Sequence, residues 1–372
     1  MIYLDSAATS LQKPPEVARE MLRAMRTAAS PGRGGHGPSM KAAEIAFACR
    51  AELAALFGMP DPERVVFTMN ATHGLNIAIA SLVHPGARVL VSGLEHNAVM
   101  RPLHAIGAEV IVAKAPLFDN DALLDAFRRE MPRAEVVVCT QVSNVFGQIL
   151  PVAEIASLCR ERGLPLIIDA SQGAGSVSLD FPALGAAFAA MPGHKGLLGP
   201  QGTGVLLCGE VSAVPLLCGG TGSESARMTM PEFLPDRLEA GTHNVPGIAG
   251  LLAGVRYVRR KGMDTILRHE RRLLHRMASQ LEGLPGTELF LGKEHTQAGV
   301  LSLRSDMDCT QLATLLADRG VAVRAGLHCA LLAHETAGTI PAGTLRMSFS
   351  PFNTPAEMDI AVRMLKYVTK NM

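Results

Sequence analysis

The chain has 372 residues, 48% of them hydrophobic and 19% charged, and its 35 basic and 34 acidic side chains leave a formal net charge of +1. That length is too great for one ordinary core and predicts two domains, while the near-neutral balance leaves no footprint for nucleic acid or an anionic membrane, so the ligand is expected to be small. Seven widely spaced cysteines, odd in number and without a C-x-x-C pair, argue against a disulfide framework or a zinc site and are expected to be mostly reduced and buried.

The opening residues Met1-Ile2-Tyr3-Leu4-Asp5 carry neither a basic leader nor an apolar signal core, and no uncharged apolar run reaches the ~18 residues of a membrane span. A cytoplasmic protein is expected. Short apolar runs then mark strands at Val65 to Thr68, Arg88 to Val91, Glu109 to Val112, Val136 to Thr140, Leu166 to Asp169 and Val205 to Leu207. Helical segments lie between them, among them Asn76 to Leu82 and Val152 to Arg162, the latter closed by Gly163. Strands alternating with helices predict an α/β fold with mostly parallel pairing. Beyond Gly247 a long helical pattern runs through Tyr257, Ile266, Leu273 and Leu281 and leads into a second domain. That domain is expected to hold strands at Val300 to Leu303, Val321 to Arg324 and Thr344 to Ser348, a helix near Gln311 to Arg319, and a final helix. Thr354, Pro355 and Glu357 give the final helix an N-cap, a first-turn proline and a capping-box acid.

Three stretches carry chemistry. Lys195 sits in the glycine-rich turn from Gly193 to Gly204, after the apolar run from Ala183 to Ala190, where small neighbours would let a large ligand approach. A desolvated lysine there loses its proton readily and can form an imine with a carbonyl cofactor, whereas an isolated lysine is ordinarily a solvated surface charge. Asp169 ends a buried strand, the place where open α/β sheets bind ligands; it reads either as a helix cap or as a carboxylate that keeps a pyridine nitrogen protonated. Asn70-Ala71-Thr72-His73-Gly74 joins a strand to a helix and offers a phosphate seat, though most such turns only cap the helix.

With these in place, the chain resembles the cysteine desulfurase and selenocysteine lyase branch of the class V aminotransferases, which have the fold type I architecture of pyridoxal-phosphate (PLP) enzymes. The resemblance runs nearly end to end: Tyr3-Leu4-Asp5-Ser6-Ala7-Ala8-Thr9, Glu95-His96-Asn97-Ala98, Val142 to Gly147, Asp169-Ala170-Ser171-Gln172, Gly193-His194-Lys195, Glu239 to Asn244, and Arg324-Ala325-Gly326-Leu327-His328-Cys329. It implies a large domain over 16–255 with a mostly parallel seven-stranded sheet, and a smaller α+β domain formed by 1–15 and 256–372. It implies PLP bound covalently to Lys195, with Asp169 on the pyridine nitrogen and His96 stacked on the ring. Gln172 would bond the ring oxygen with Asn144 beside it, Ala71, Thr72 and His194 would hold the phosphate, and Thr242 would reach the phosphate from the other subunit of a homodimer. Arg346 would grip the substrate carboxylate, a task that suits bidentate arginine.

Cys329 would take sulfur from cysteine as a persulfide and release alanine, or selenium would leave from selenocysteine; His328 or the cofactor region is expected to favour its thiolate. The short span from Cys329 to Arg346 resembles the branch that needs a sulfur-accepting protein. Pro192 stands where the family offers a serine to the phosphate, Leu327 replaces the first of two histidines, and Arg33 and His36 lie in an unusual segment that would border the substrate. The competing readings are a class V aminotransferase, lyase or epimerase acting on another amino acid, and a relay scaffold with little turnover, against which Lys195, Asp169 and His96 together speak.

Overall fold

The computed structural model describes residues 1–31 and 34–370, the side chain of Glu294 excepted; Arg33 therefore lies outside the described residues. A seven-stranded sheet runs in the order Val65–Thr68, Gly204–Cys208, Phe188–Pro192, Leu166–Asp169, Val136–Thr140, Arg88–Ser92, Glu109–Ala113. The last five strands pair in parallel, and Gly204–Cys208 runs antiparallel to both its neighbours. Helices cover both faces. One core gathers Phe57, Phe127, Phe146 and Ile168, and another gathers Leu75, Val89, Ile167 and Phe188. Adjacent residues Ile167 and Ile168 thus point to opposite faces, as a strand buried on both sides requires.

The six sheet strands read from the sequence are all present. The seventh, Phe188–Pro192, was hidden in an alanine-rich run that has little intrinsic strand preference; it forms because both its edges are paired inside the core. Its position sets Lys195 three residues past the end of a central strand. The helix expected from Asn76 begins at Ala71, because the Asn70 side chain accepts the His73 amide at 2.9 Å and caps it five residues earlier.

The long helical pattern divides at Gly262 into helices Val245–Lys261 and Met263–Leu281. These lead to a four-stranded antiparallel sheet in the order Arg324–Gly326, Thr344–Ser348, Val300–Ser305, Thr287–Phe290. Its core is distinct and includes Leu4, Leu273, Leu301, Leu345 and Leu365. The single strand expected over Val321 to Arg324 is two: Val321–Ala322 pairs in parallel with Ile2–Tyr3 at the amino end, and Arg324–Gly326 joins the four-stranded sheet. The final helix is capped as expected, with the Thr354 amide donating to Glu357 at 2.7 Å and the Glu357 amide donating back to the Thr354 hydroxyl at 3.3 Å. No helix among the described residues is long and apolar enough to cross a membrane.

The loop after Val136–Thr140 meets the four-stranded sheet at Gly147, which adopts φ +68° and lies where a Cβ would come within 2.9 Å of the Val300 carbonyl. Gly147→Ala is expected to cost about 1–3 kcal/mol, from strain and displaced backbone together. Denaturant melts should show a clearly lower midpoint than for Gly107→Ala, whose φ is similarly positive (+75°) but whose Cβ meets nothing.

Candidate active site

Strand ends and helix starts converge on one cleft of about 100 Å³, lined by Ala71, Thr72, His96, Asn144, Asp169, Gln172, His194 and Lys195 among others. Residues spread over more than a hundred positions meet there because parallel strands deliver their carboxyl ends, and the loops after them, to one edge of the sheet. Asp169 is the last residue of its strand and 2% exposed. One of its carboxylate oxygens accepts the Ser171 amide at 2.9 Å. His96 caps the helix Asn97–Ala105 through Nδ1, which accepts the Ala98 amide at 2.9 Å. Its ring is therefore neutral with the proton on Nε2, and burial lowers its pKa despite the opposing field of Asp169.

The Lys195 amine is pushed down to about 8, first by burial and then by the guanidinium groups of Arg346 and Arg324, while Asp169 and Asp5 oppose the shift. The glycines around it answer to backbone packing more than to ligand access: a Cβ on Gly196 would meet the Ala174 carbonyl at 2.3 Å, and one on Gly193 the Thr203 hydroxyl at 2.2 Å. His194 places Nδ1 3.0 Å from the Thr9 hydroxyl, and burial followed by the nearby Lys195 and Lys13 lowers its pKa to about 4. Its carbonyl accepts from the Ser10 hydroxyl at 2.9 Å and from Lys13 at 3.5 Å, so the amino-terminal segment fastens the lysine turn. Gln172 donates to the Ala7 carbonyl at 3.0 Å and is fastened by the same segment.

Arg346 does not line the cleft. It lies buried behind it, with Nη1 donating to the Asn144 carbonyl at 2.9 Å and Nη2 to Asp5 at 2.8 Å. Cys329 is exposed, on a loop clamped to the cleft's rim: its carbonyl accepts the Asn97 amide at 2.7 Å, and the His328 carbonyl accepts the Asn144 side-chain amide at 2.9 Å. Of the two sources expected to favour that thiolate, His328 or the cofactor region, the first is corrected. Its ring is buried, faces Thr344 through Nε2 and stacks on His334, and burial drives its pKa down to about 2, so it stays neutral.

Thr242 stands apart, in a second cavity with Thr68, His73 and His243. Behind it Glu239 is held by Arg50 at 2.8 and 2.5 Å and by His243 at 2.5 Å. Pro192 does line the main cleft and offers no donor. His36 caps the helix Gly37–Leu56 instead of facing the cleft.

Several charged residues were not singled out in the sequence. Asp5 pairs with Arg346, Arg324 lies directly across the strand from it, and Glu95 is wholly buried beside Thr140, its carboxyl raised to about 8 by burial. No linear signal joins residue 5 to residue 346; only the sheet register does.

The site's chemistry fits PLP on its own terms. It combines a desolvated amine, a buried carboxylate at a strand end, a capped helix start with Ala71 and Thr72 in its first turn, and a buried Asn144 oxygen without a protein partner. The fold around it is that of the type I PLP-dependent transferases. The chain belongs to the class-V aminotransferase family, whose model matches residues 2–360. It is 33% identical to a probable cysteine desulfurase of Methanothermobacter thermautotrophicus, over 96% of this chain and 92% of that one, and 33% identical to a cysteine desulfurase of Enterobacter sp. (strain 638), over 99% and 93%. Among solved structures it superposes on the apo cysteine desulfurase of Thermococcus onnurineus NA1 with a TM-score of 0.90 at 30% identity, covering 100% of this chain and 95% of that one. The Escherichia coli cysteine desulfurase CsdA superposes with a TM-score of 0.85 at 28% identity, over 99% and 94%.

In the cofactor-free chain, Lys195 should shed its proton as pH rises through about 8 instead of the ordinary 10.5. Borohydride trapping of a small aldehyde at Lys195, followed by mass spectrometry, should show capture rising with a midpoint near 8. Asp169→Asn removes a charge that stabilises the ammonium, so its midpoint should fall below the wild type's; a wild-type midpoint near 10 would contradict the desolvation argument.

Proposed function

We propose that the chain is a PLP-dependent cysteine desulfurase that releases alanine from L-cysteine and keeps the sulfur as a persulfide on Cys329. The observation that carries this reading is the clamp that sets an exposed cysteine at the rim of the Lys195 cleft, through Asn97 and Asn144. Relatives and solved structures bearing the cysteine desulfurase name over nearly their full length support it.

In this reading Lys195 and Asp169 hold the cofactor, His96 covers its ring, Gln172 and Asn144 face its oxygen, and Ala71, Thr72 and His194 receive the phosphate. When bound, the cofactor withdraws electrons from the substrate and stabilises negative charge at its α-carbon. The Lys195 amine, held near neutrality, takes and returns the substrate's α-proton at Nζ. Arg346 holds the substrate carboxylate and Asn144 helps orient it. The Cys329 sulfur attacks the substrate sulfur: the new S–S bond forms as the carbon–sulfur bond breaks, and the carbon left behind takes a proton to give alanine. Cys329 then presents its extra sulfur to an acceptor protein, which its exposure allows.

Thr242, remote from its own cleft, serves the phosphate of a second copy, so the working unit is a homodimer. The loss of a hydroxyl at Pro192 puts more of the phosphate's hold on Thr72, His194 and that partner threonine. The domain division at 16–255, with 1–15 and 256–372 forming the smaller unit, is part of the same reading; Leu4 packing in the core with Leu345 and Leu365 supports it.

Alanine release decides the assignment. Cys329→Ala is expected to lower the rate from L-cysteine by at least about a hundredfold, while leaving alanine release from selenocysteine substantially intact, because selenium departs without a cysteine acceptor. Equal rates from cysteine for wild type and variant would remove Cys329 from the mechanism.

A further inference from the structure

Arg346 is assigned to the substrate carboxylate, yet its side chain is only 2% exposed, and a carboxylate already sits on it. That carboxylate belongs to Asp5, whose own side chain is 20% exposed and is thus the more accessible half of the pair. The opposite edge of the guanidinium offers no way in, because Nη1 is bonded to the Asn144 carbonyl and Nε is buried without a partner. A ligand carboxylate therefore reaches Arg346 by taking the place of Asp5.

The local structure makes that exchange inexpensive. The Asp5 backbone is fixed: it bridges to Ser348 in parallel, and its carbonyl accepts from the Tyr3 hydroxyl at 3.1 Å. Its carboxylate makes no other hydrogen bond among the described residues, so release needs only a side-chain rotation. A second cation stands ready to receive it. Arg324 is the direct cross-strand partner of Arg346 and makes no hydrogen bond or ion pair among the described residues. Of two arginines opposite one another in the register, only Arg346 holds a carboxylate, an unfavourable count for like charges facing across a strand pair; a ligand carboxylate brings the count to two and two.

We propose that Asp5 is an intramolecular stand-in for the substrate carboxylate, capping Arg346 until an amino acid displaces it toward Arg324. The inference rests on the assignment of Arg346 as the carboxylate-binding residue. It makes Asp5 a specificity-determining residue: only a ligand that brings its own carboxylate can open the cap, so a bare aminothiol such as cysteamine is excluded although its amine and thiol match those of cysteine.

The test is calorimetric titration of the holoenzyme with L-alanine, alongside steady-state kinetics with L-cysteine. An apparent dissociation constant is the intrinsic one divided by the fraction of open molecules, so Asp5→Asn and Asp5→Ala should both bind L-alanine about five- to tenfold more tightly and show a lower KM. Asp5→Glu keeps a competing carboxylate and should bind as the wild type does. A residue that merely braced the arginine would give the opposite sign, weaker binding and a higher KM in all three. Unchanged or weakened L-alanine binding in both Asp5→Asn and Asp5→Ala overturns the proposal. Arg346→Gln separates the two levels: if it weakens L-alanine binding while the Asp5 variants do not tighten it, only the stand-in falls. If Arg346→Gln leaves binding unchanged, the carboxylate assignment falls and takes the stand-in with it.

Discussion

Positive charge gathered where water is scarce governs this molecule. Lys195, Arg324 and Arg346 bear on one another, and Asp169 and Asp5 are the carboxylates that answer them most strongly. Burial lowers the pKa of both Lys195 and Arg346, but the consequences differ. A guanidinium keeps its proton through any such shift, whereas an amine near 8 is poised to give its proton up. Both arginines therefore add to a field that helps keep the lysine reactive. Positive charge of this kind favours anions, and the carboxylate and phosphate proposed above to bind here are both anions.

The amino-terminal segment holds that arrangement together. Within nine residues it sends Asp5 to Arg346, the Ala7 carbonyl to Gln172, and Ser10 and Lys13 to the carbonyl just before Lys195. It begins as a strand beside Val321–Ala322 and ends against the lysine turn that follows Phe188–Pro192. Groups proposed to face the cofactor and the substrate are thus fastened by one short piece of backbone, and a shift of Ile2–Tyr3 and its paired strand would be felt at the lysine turn. That coupling ties residues 5 to 13 to side chains and a turn far from them in sequence.

The sequence made the large sheet readable because buried parallel strands leave dense apolar runs at regular intervals, and Asp169 and Lys195 stood out against them. Phe188–Pro192 escaped because three of its five residues are alanine or proline, types that form a central strand only when tertiary pairing imposes it. Of the site, the eight residues around the cleft lay in recognisable stretches, and the structure brings them together. What stayed hidden is of one kind. The Asp5–Arg346 pair, the Arg324–Arg346 register and the neutral His328–His334 stack are all long-range or burial-dependent, and a linear pattern carries neither distance nor desolvation. His328 shows the difference plainly: a histidine next to a cysteine suggests a charged helper, and only its burial reveals that it is a neutral packing group.

The same burial bears on how Cys329 is presented. His328 and Cys329 are consecutive non-glycine residues with positive φ, +48° and +56°, a conformation that costs roughly 1–2 kcal/mol per residue. It persists because both carbonyls are captured, one by Asn144 and one by Asn97, and because the His328 ring is locked against Thr344. The result is a turn that drives the histidine inward and the cysteine outward in successive residues. A relaxed loop would let the thiol wander. Here the two residues that capture the loop stand beside the cleft, Asn144 in its wall and Asn97 next to His96, so the cysteine's position is set in part by Asn144, a group proposed to orient its substrate. Leu327 accepts the Ala330 amide at 2.9 Å through its carbonyl and so closes this turn with its backbone, a contact that does not depend on its side chain.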